Sequence, residues 1–472
     1  MKKVLIALMC LTSMIVAGTT LKAQEVTVSL KPGWTWISYP STDTVDFATA
    51  LGTFIPMEGD MIKSQYSYSE YSDDEWFGTF QSFCPGNGYM YKSTRTMPVL
   101  LTFNVHQLAS QVVTTLEPTN ITAMSAVVGG IVTIGEGNHI FLRGVCWGTT
   151  QHPDIDGNHI PGEAVVGSQS ITLDGLTPGA IYYVRAYAVT DDGLIYGEEL
   201  SFVTPPTGAI AGLFSVSASQ QVYFSQGNLQ YIGSASTPYW KFADNQWDYF
   251  GTTTGQDSSS QTVDRDLFGW GTSGYNHGAT CYQPWSTSEN NANYNPYGES
   301  NTNLYDQTGQ AEWGYNAISN GGNQENQWRT LRYAEWNYLL NTRSTLSGKR
   351  FAMAIVNNVN GAILLPDNWD ENIYYLNNTN QHFSNCNDNI ITDSEWSILE
   401  AAGAVFLPVP GTRNGTLVEH VGDQSVYWTS SRGSATGASG LAVEDGFIAT
   451  GYSFRASGYS VRLVHDKPVP QP

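Results

Sequence analysis

Positive charge is scarce in this 472-residue chain: 21 lysines and arginines stand against 42 aspartates and glutamates. A surface of that sign repels phosphate backbones and anionic bilayers, which argues against nucleic acid as a partner. Cysteine is scarcer still, five in all. Apart from Cys10 near the start, Cys84, Cys146, Cys281 and Cys386 lie far apart and form no CxxC metal pattern. Cys281 and Cys386 are the pair left for a disulfide in an oxidising compartment; the other reading makes all four small buried hydrophobes. Beyond residue 23 no stretch has the ~18 consecutive apolar residues of a membrane span, so no membrane insertion is expected of the mature chain. Gly-x-Ser-x-Gly elbows and His-Glu-x-x-His helices are missing too. Gly269-x-Gly271-x-x-Gly274 matches the dinucleotide fingerprint in letters only, since it follows no β-α-β pattern and is flanked by Trp270 and Tyr275 in a polar loop. A hydrolytic pair of carboxylates is the one chemistry these absences leave open, because such pairs come from separate strands.

What is present begins with a secretory signal peptide at residues 1–23. Lys2 and Lys3 precede an apolar run from Val4 to Ala17, and Leu21-Lys22-Ala23 offers a cleavage site before Gln24. Cys10 makes a poor lipidation site, because Met9 stands where a small residue is needed and the apolar run before it is short. Cleavage after Ala23 leaves 18 basic against 42 acidic residues, a net charge of −24. The chain is therefore expected outside the cytoplasm: extracellular, at the cell surface or in the periplasm.

The rest divides into segments. Residues 25–105 alternate apolar and polar at Val26, Val28 and Leu30, turn at Lys31-Pro32-Gly33, and alternate again at Trp34 and Trp36. A small antiparallel β domain follows from that pattern. Tyr66, Tyr68, Tyr71, Trp76, Phe77 and Phe80 supply ring faces for sugar rings or protein ligands, or else strand core. The pattern resembles a module of secreted proteins from Bacteroidetes-type bacteria. Residues 110–204 contain Leu176-x-Pro178 followed by Tyr182, with Tyr182, Val184, Ala186 and Ala188 on one strand face. This resembles the corner of a fibronectin type III sandwich, where a tyrosine hydroxyl ties a turn to the backbone. Pro205-Pro206-Thr207-Gly208 opens a stiff linker over 205–210. Residues 467–472 form a short tail.

Residues 211–466 carry ten of the fourteen tryptophans. Thr392-Asp393-Ser394-Glu395 is a capping box, so a helix starts there, with Trp396, Leu399 and Glu400 following and Gly403 ending it. Arg332-Tyr333-Ala334-Glu335-Trp336 repeats the Glu-Trp pair, with Arg332 in place of the capping hydroxyl. Glu335 and Glu395 read as helix-start residues rather than catalytic acids. Between Thr252 and Gln310 a polar stretch, too long for an ordinary loop, is punctuated by Trp270, Tyr275 and Trp285.

Trp328-Arg329-Thr330 with Glu335-Trp336, Tyr427-Trp428-Thr429-Ser430-Ser431 and Ser460-Val461-Arg462-Leu463-Val464 resemble the C-type-lectin-like and formylglycine-generating-enzyme superfamily. The resemblance implies an α+β C-terminal domain in a mainly β chain. The oxidase version needs two closely spaced cysteines late in the domain, and none follows Cys386. The calcium-dependent sugar-binding version implies a carboxylate loop, for which Asp367, Asp370 and Glu371 are hard oxygen ligands of the kind calcium takes. The expectation is a non-catalytic exported recognition or adhesion protein. It would hold a glycan or protein ligand by stacking on Trp270, Tyr275, Trp285, Trp369 and Trp428, with calcium as the one candidate cofactor. A divergent glycan hydrolase or formylglycine-type oxidase, and a structural surface or fimbria-associated protein, are the competing classes.

Overall fold

The computed structural model describes residues 24–39, 44–84, 87–105, 112–135, 138–191, 193–275, 280–298 and 302–469. The expected signal peptide at 1–23, with Cys10, the expected turn at Pro85-Gly86 and the last residues of the tail lie outside them. The chain is mainly β, and among the described residues no helix is long and apolar enough to cross a membrane.

Alternation builds the first sheet. Five antiparallel strands run in the order Gly33–Ser38, Gly88–Ser93, Met61–Lys63, Tyr68–Ser72 and Glu75–Gly78. Every second residue faces inward, so Ile37, Tyr89, Tyr91 and Ile62 join Phe47, Leu51, Phe83, Leu101 and Phe103 in one core. Leu101 and Phe103 come from a second, two-stranded sheet that pairs Gln24–Leu30 with Val99–Val105. Phe47 opens the short helix α1 (Phe47–Leu51), whose first turn is capped by Asp46 accepting from Thr49 N at 2.8 Å. The aromatic stretch divides: Trp76 and Phe80 pack on this core, whereas Tyr66, Tyr68 and Phe77 are exposed.

The next sheets form a sandwich. Val112–Thr119, Ser125–Thr133 and Gly167–Asp174 make one layer. Asn158–Pro161, Ile140–Gly148 and Ile181–Thr190 make the other, with Gly193–Tyr196 and Leu200–Val203 both paired to the last of these. Val184, Ala186 and Ala188 are buried between the layers as the alternation requires, and Tyr182 joins them. Its hydroxyl accepts from Thr177 N at 2.9 Å, closing the corner of a fibronectin type III-like fold. The stiff linker does not stand free. Thr204, Pro205 and Pro206 are buried, Gly179 N donates to Thr204 O and Pro205 O, and the next strand already starts at Ala209. Gly208 sits at φ +79° where a Cβ would lie 2.4 Å from Asn320 O, so only glycine fits the joint.

In the remaining segment the last strand inserts beside the second: Gln221–Ser225 pairs antiparallel with Leu463–Asp466, between Ala209–Ser215 and Arg329–Thr330. Two helices, α2 (Tyr333–Asn341) and α3 (Asp393–Ala401), start as the sequence indicates. Glu395 accepts from Thr392 N at 2.8 Å and Glu335 accepts from Arg332 N at 2.7 Å, while Trp336 and Trp396 are buried. Arg329 adds a bidentate pair to Glu335 at 2.8 and 2.9 Å and reaches Asp466 at 2.9 Å. The Trp-Arg-Thr and Glu-Trp echoes are thus one clamp, tying strand, helix start and closing strand.

The long polar stretch is held from inside. Arg265 donates to the carbonyls of Gln256, Ser258 and Ser260 at 3.4, 3.3 and 2.7 Å. Arg455 donates to those of Tyr294, Ser434 and Gly437 at 3.1, 2.7 and 3.1 Å, with its guanidinium 4.7 Å from the Trp270 ring centre. Burial lowers both guanidinium pKa values to about 10, still protonated at neutral pH. Cys281 and Cys386 are both free and belong to different clusters, so the disulfide does not form.

Candidate functional site

The residues expected to stack on a ligand are not gathered on a surface. Trp270 and Trp428 are fully buried, and their indole N–H groups donate to Thr429 O at 2.9 Å and Phe268 O at 2.7 Å. Both belong to an aromatic core with Trp240, Phe268, Trp313 and Trp328. Trp369 is buried in a different cluster, with Trp396 and Phe406. Trp285 and Tyr275 are half-buried against the Trp270 core, Tyr275 edge-on to Tyr297 at 5.5 Å. Five stacking positions thus become three core tryptophans and two partly covered rings. A large apolar ring gains more from the interior than from a polar loop, and the periodicity of an irregular segment does not reveal which way it points.

The calcium loop fails a chemical test. Asp367 accepts from Ser215 N (3.1 Å), Ser215 Oγ (2.6 Å), Gln221 Nε2 (2.9 Å) and Arg343 Nη1 (2.8 Å), so donors already occupy the lone pairs a cation would need. Burial pushes its pKa up, but these donors outweigh that and hold the carboxyl below its usual value. Asp370 accepts from Asn372 N and Nδ2 at 2.9 and 2.8 Å, and Glu371 lies 3.5 Å from Lys349 Nζ. Among the described residues no three His, Cys, Asp or Glu side chains gather as a metal site.

Exposed aromatics of this segment cluster elsewhere, where the first turn of α2 meets the loop around Asn303, the end of strand Gln424–Arg432 and strand Phe447–Phe454. Tyr333 stacks on Tyr452 with ring centres 5.7 Å apart and planes at 11°. The Arg332 guanidinium lies 4.4 Å from the Tyr305 ring centre. Tyr452 is 67% exposed, and Phe454, two residues on along the same strand face, is exposed as well. Backbone bonds fix the arrangement: Tyr333 N donates to Ser431 Oγ at 3.1 Å, Arg432 N to Asn303 Oδ1 at 3.0 Å, and Leu304 N to Ser430 O at 3.0 Å. The surface offers two ring faces and a guanidinium on a rigid base, a pattern that stacks and hydrogen-bonds. The sequence carried one signal for it, since Arg332 and Tyr333 adjoin the Glu-Trp motif and begin the helix.

Behind this surface Glu312 accepts from Thr330 N at 3.0 Å and from Thr330 Oγ1 at 2.5 Å. Burial pushes its carboxyl up to about 7, against the Thr330 donors and Arg329, which lower it. Burial likewise raises Asp266 to about 6, although Phe250 N and Gln256 donate to it. Both folded values lie above those of the unfolded chain, so at these two sites the folded protein binds more protons between about pH 4 and 7, and their contribution to stability falls as pH rises through that window. Each shift is worth on the order of 3 kcal/mol. Glu312→Gln keeps an acceptor for Thr330; it is expected to remove its share of that slope and to raise the urea midpoint at pH 8. A Glu312→Gln midpoint that runs parallel to the wild type's from about pH 4.5 to 8 would contradict this.

No family model matches the chain, and no curated protein matches it. Among solved structures it is similar to the sensor domain of the anti-sigma factor RsgI4 of Pseudobacteroides cellulosolvens, at 19% identity over 21% of this chain and 96% of that one, with a TM-score of 0.17. It is also similar to the sixth fibronectin type III domain of human fibronectin type III domain containing protein 3, at 24% identity over 19% of this chain and 81% of that one, with a TM-score of 0.16. The FN1–FN3 domains of chicken CNTN1 match at 10% identity over 31% of this chain and 55% of that one, with a TM-score of 0.15.

Proposed function

We propose that the protein is an exported, non-catalytic recognition or adhesion protein. Its C-terminal part, a C-type-lectin-like domain, holds a glycan or protein ligand on the Tyr305–Arg332–Tyr333–Tyr452 surface. The observation that carries this reading is the stack of half-buried Tyr333 on exposed Tyr452, beside the Arg332–Tyr305 contact. The pairing of the closing strand with Gln221–Ser225 near the segment's start and the clamp at Arg329, Glu335 and Asp466 support the lectin-like scaffold. A screen of the secreted chain against immobilised glycans and envelope proteins tests the reading. Retention on at least one, without release of product from any polysaccharide, is the expected result. Product release with no retained ligand would replace it with an enzyme.

A further inference from the structure

The outer face of the N-terminal five-stranded sheet carries rings that the core does not use. Directly paired residues of antiparallel strands share a face, and the register therefore reads across it in two rows. Trp36 pairs with Met90, Met90 with Lys63, and Lys63 with Tyr68; Trp34 pairs with Lys92, Lys92 with Met61, Met61 with Glu70, and Glu70 with Phe77. Trp36 is 71% exposed, Tyr68 52%, Phe77 51% and Trp34 44%. Strands ~4.8 Å apart put Tyr68 about 14 Å from Trp36, and Phe77 about 19 Å from Trp34. Lys63 and Lys92 stand between the rings, and neither forms an ion pair among the described residues.

We infer that this face is a second binding site, independent of the C-terminal surface, and that its ligand is an acidic polysaccharide chain. Charge decides the sign of the ligand. In a mature chain of net charge −24 a polyanion is repelled almost everywhere, and here two free ammonium groups flank the rings. Spacing decides its kind. A protein partner buries a continuous apolar patch at its centre, whereas this face sets separate rings among methionine and lysine side chains. That alternation matches a polymer presenting a sugar ring and a carboxylate at intervals: the rings stack on the sugars' C–H faces and the lysines meet the carboxylates. Glu70 and the acidic turn at Asp73 and Asp74 repel the anion at the far end, so the chain engages the Trp34–Trp36 end first.

The full chain titrated with polygalacturonate, alginate and hyaluronan, and with dextran and poly-L-glutamate as comparators, tests this. At least one acidic polysaccharide should bind at least roughly tenfold more tightly than dextran or poly-L-glutamate, and salt should weaken it. Trp36→Ala, and separately Lys63→Gln with Lys92→Gln, should each weaken it by roughly tenfold without moving the thermal midpoint. Binding of none of the three, equal binding of poly-L-glutamate, or binding indifferent to both sets of variants overturns the inference. The C-terminal reading is untouched by any of these outcomes.

Discussion

Trp428→Ala will destabilise the C-terminal segment by about 3–5 kcal/mol rather than only remove a ligand contact. Its side chain is fully buried, its ring packs on Tyr459 at 4.8 Å between centres, and its N–H satisfies the Phe268 carbonyl. Alanine leaves a cavity the size of an indole, and this is the main penalty, since the Phe268 carbonyl loses one donor but still accepts from Tyr459 N at 2.9 Å. The loss is a large part of the 5–15 kcal/mol that ordinarily stabilises a fold, and a thermal midpoint lower by roughly 10 °C follows for a segment of this length. Trp428→Phe, which keeps a ring and loses only the donor and part of the volume, should cost less than half as much. Differential scanning calorimetry of the three proteins checks the order. An unchanged midpoint in the alanine variant would return Trp428 to the surface.

Asp367→Ala will have an effect of similar size for an electrostatic reason. Arg343 has no exposed side-chain area, and Asp367 is its one ion-pair partner among the described residues, at 2.8 Å. Its other bonds go to the Leu339, Arg350 and Leu365 carbonyls. Removing the carboxylate strands a buried charge, which costs about 3–5 kcal/mol, whereas replacing Arg343 and Asp367 together with apolar residues of similar volume should restore much of it. Calcium or a chelator should leave the wild-type midpoint in place, because Asp367 ties Ser215 and Gln221 to the Arg343 helix end and has no lone pair left for a cation. A calcium-dependent rise in the midpoint, abolished by Asp367→Ala, would reinstate the metal loop.

Sequence pattern was informative wherever local physics decides structure. The alternation around Trp34 and Trp36, the tyrosine corner at Tyr182 and the cap at Thr392–Glu395 each involve residues within a few positions of one another, and each appears in the fold. The candidate site was not legible in the same way. Arg455 holds the Tyr294 carbonyl from 161 positions away, and Trp270 donates to Thr429 across 159. No window of sequence shows that a glycine-rich polar stretch will be drawn inward by an arginine near the end of the chain. With that contact unseen, Trp270 and Trp428 read as surface rings, and beyond Arg332 and Tyr333 in the Glu-Trp motif nothing local marks the surface, because separate segments bring Tyr305 and Tyr452 to it.

The most direct test of the account compares two variants of the full chain on a ligand retained in the glycan and protein screen. Tyr452→Ala with Arg332→Ala should lower affinity by roughly tenfold or more and leave the thermal midpoint within a degree or two, while Trp270→Phe should lower the midpoint and leave affinity nearly unchanged. Loss of affinity in Trp270→Phe at an unchanged midpoint, with the surface pair binding as wild type, would contradict it.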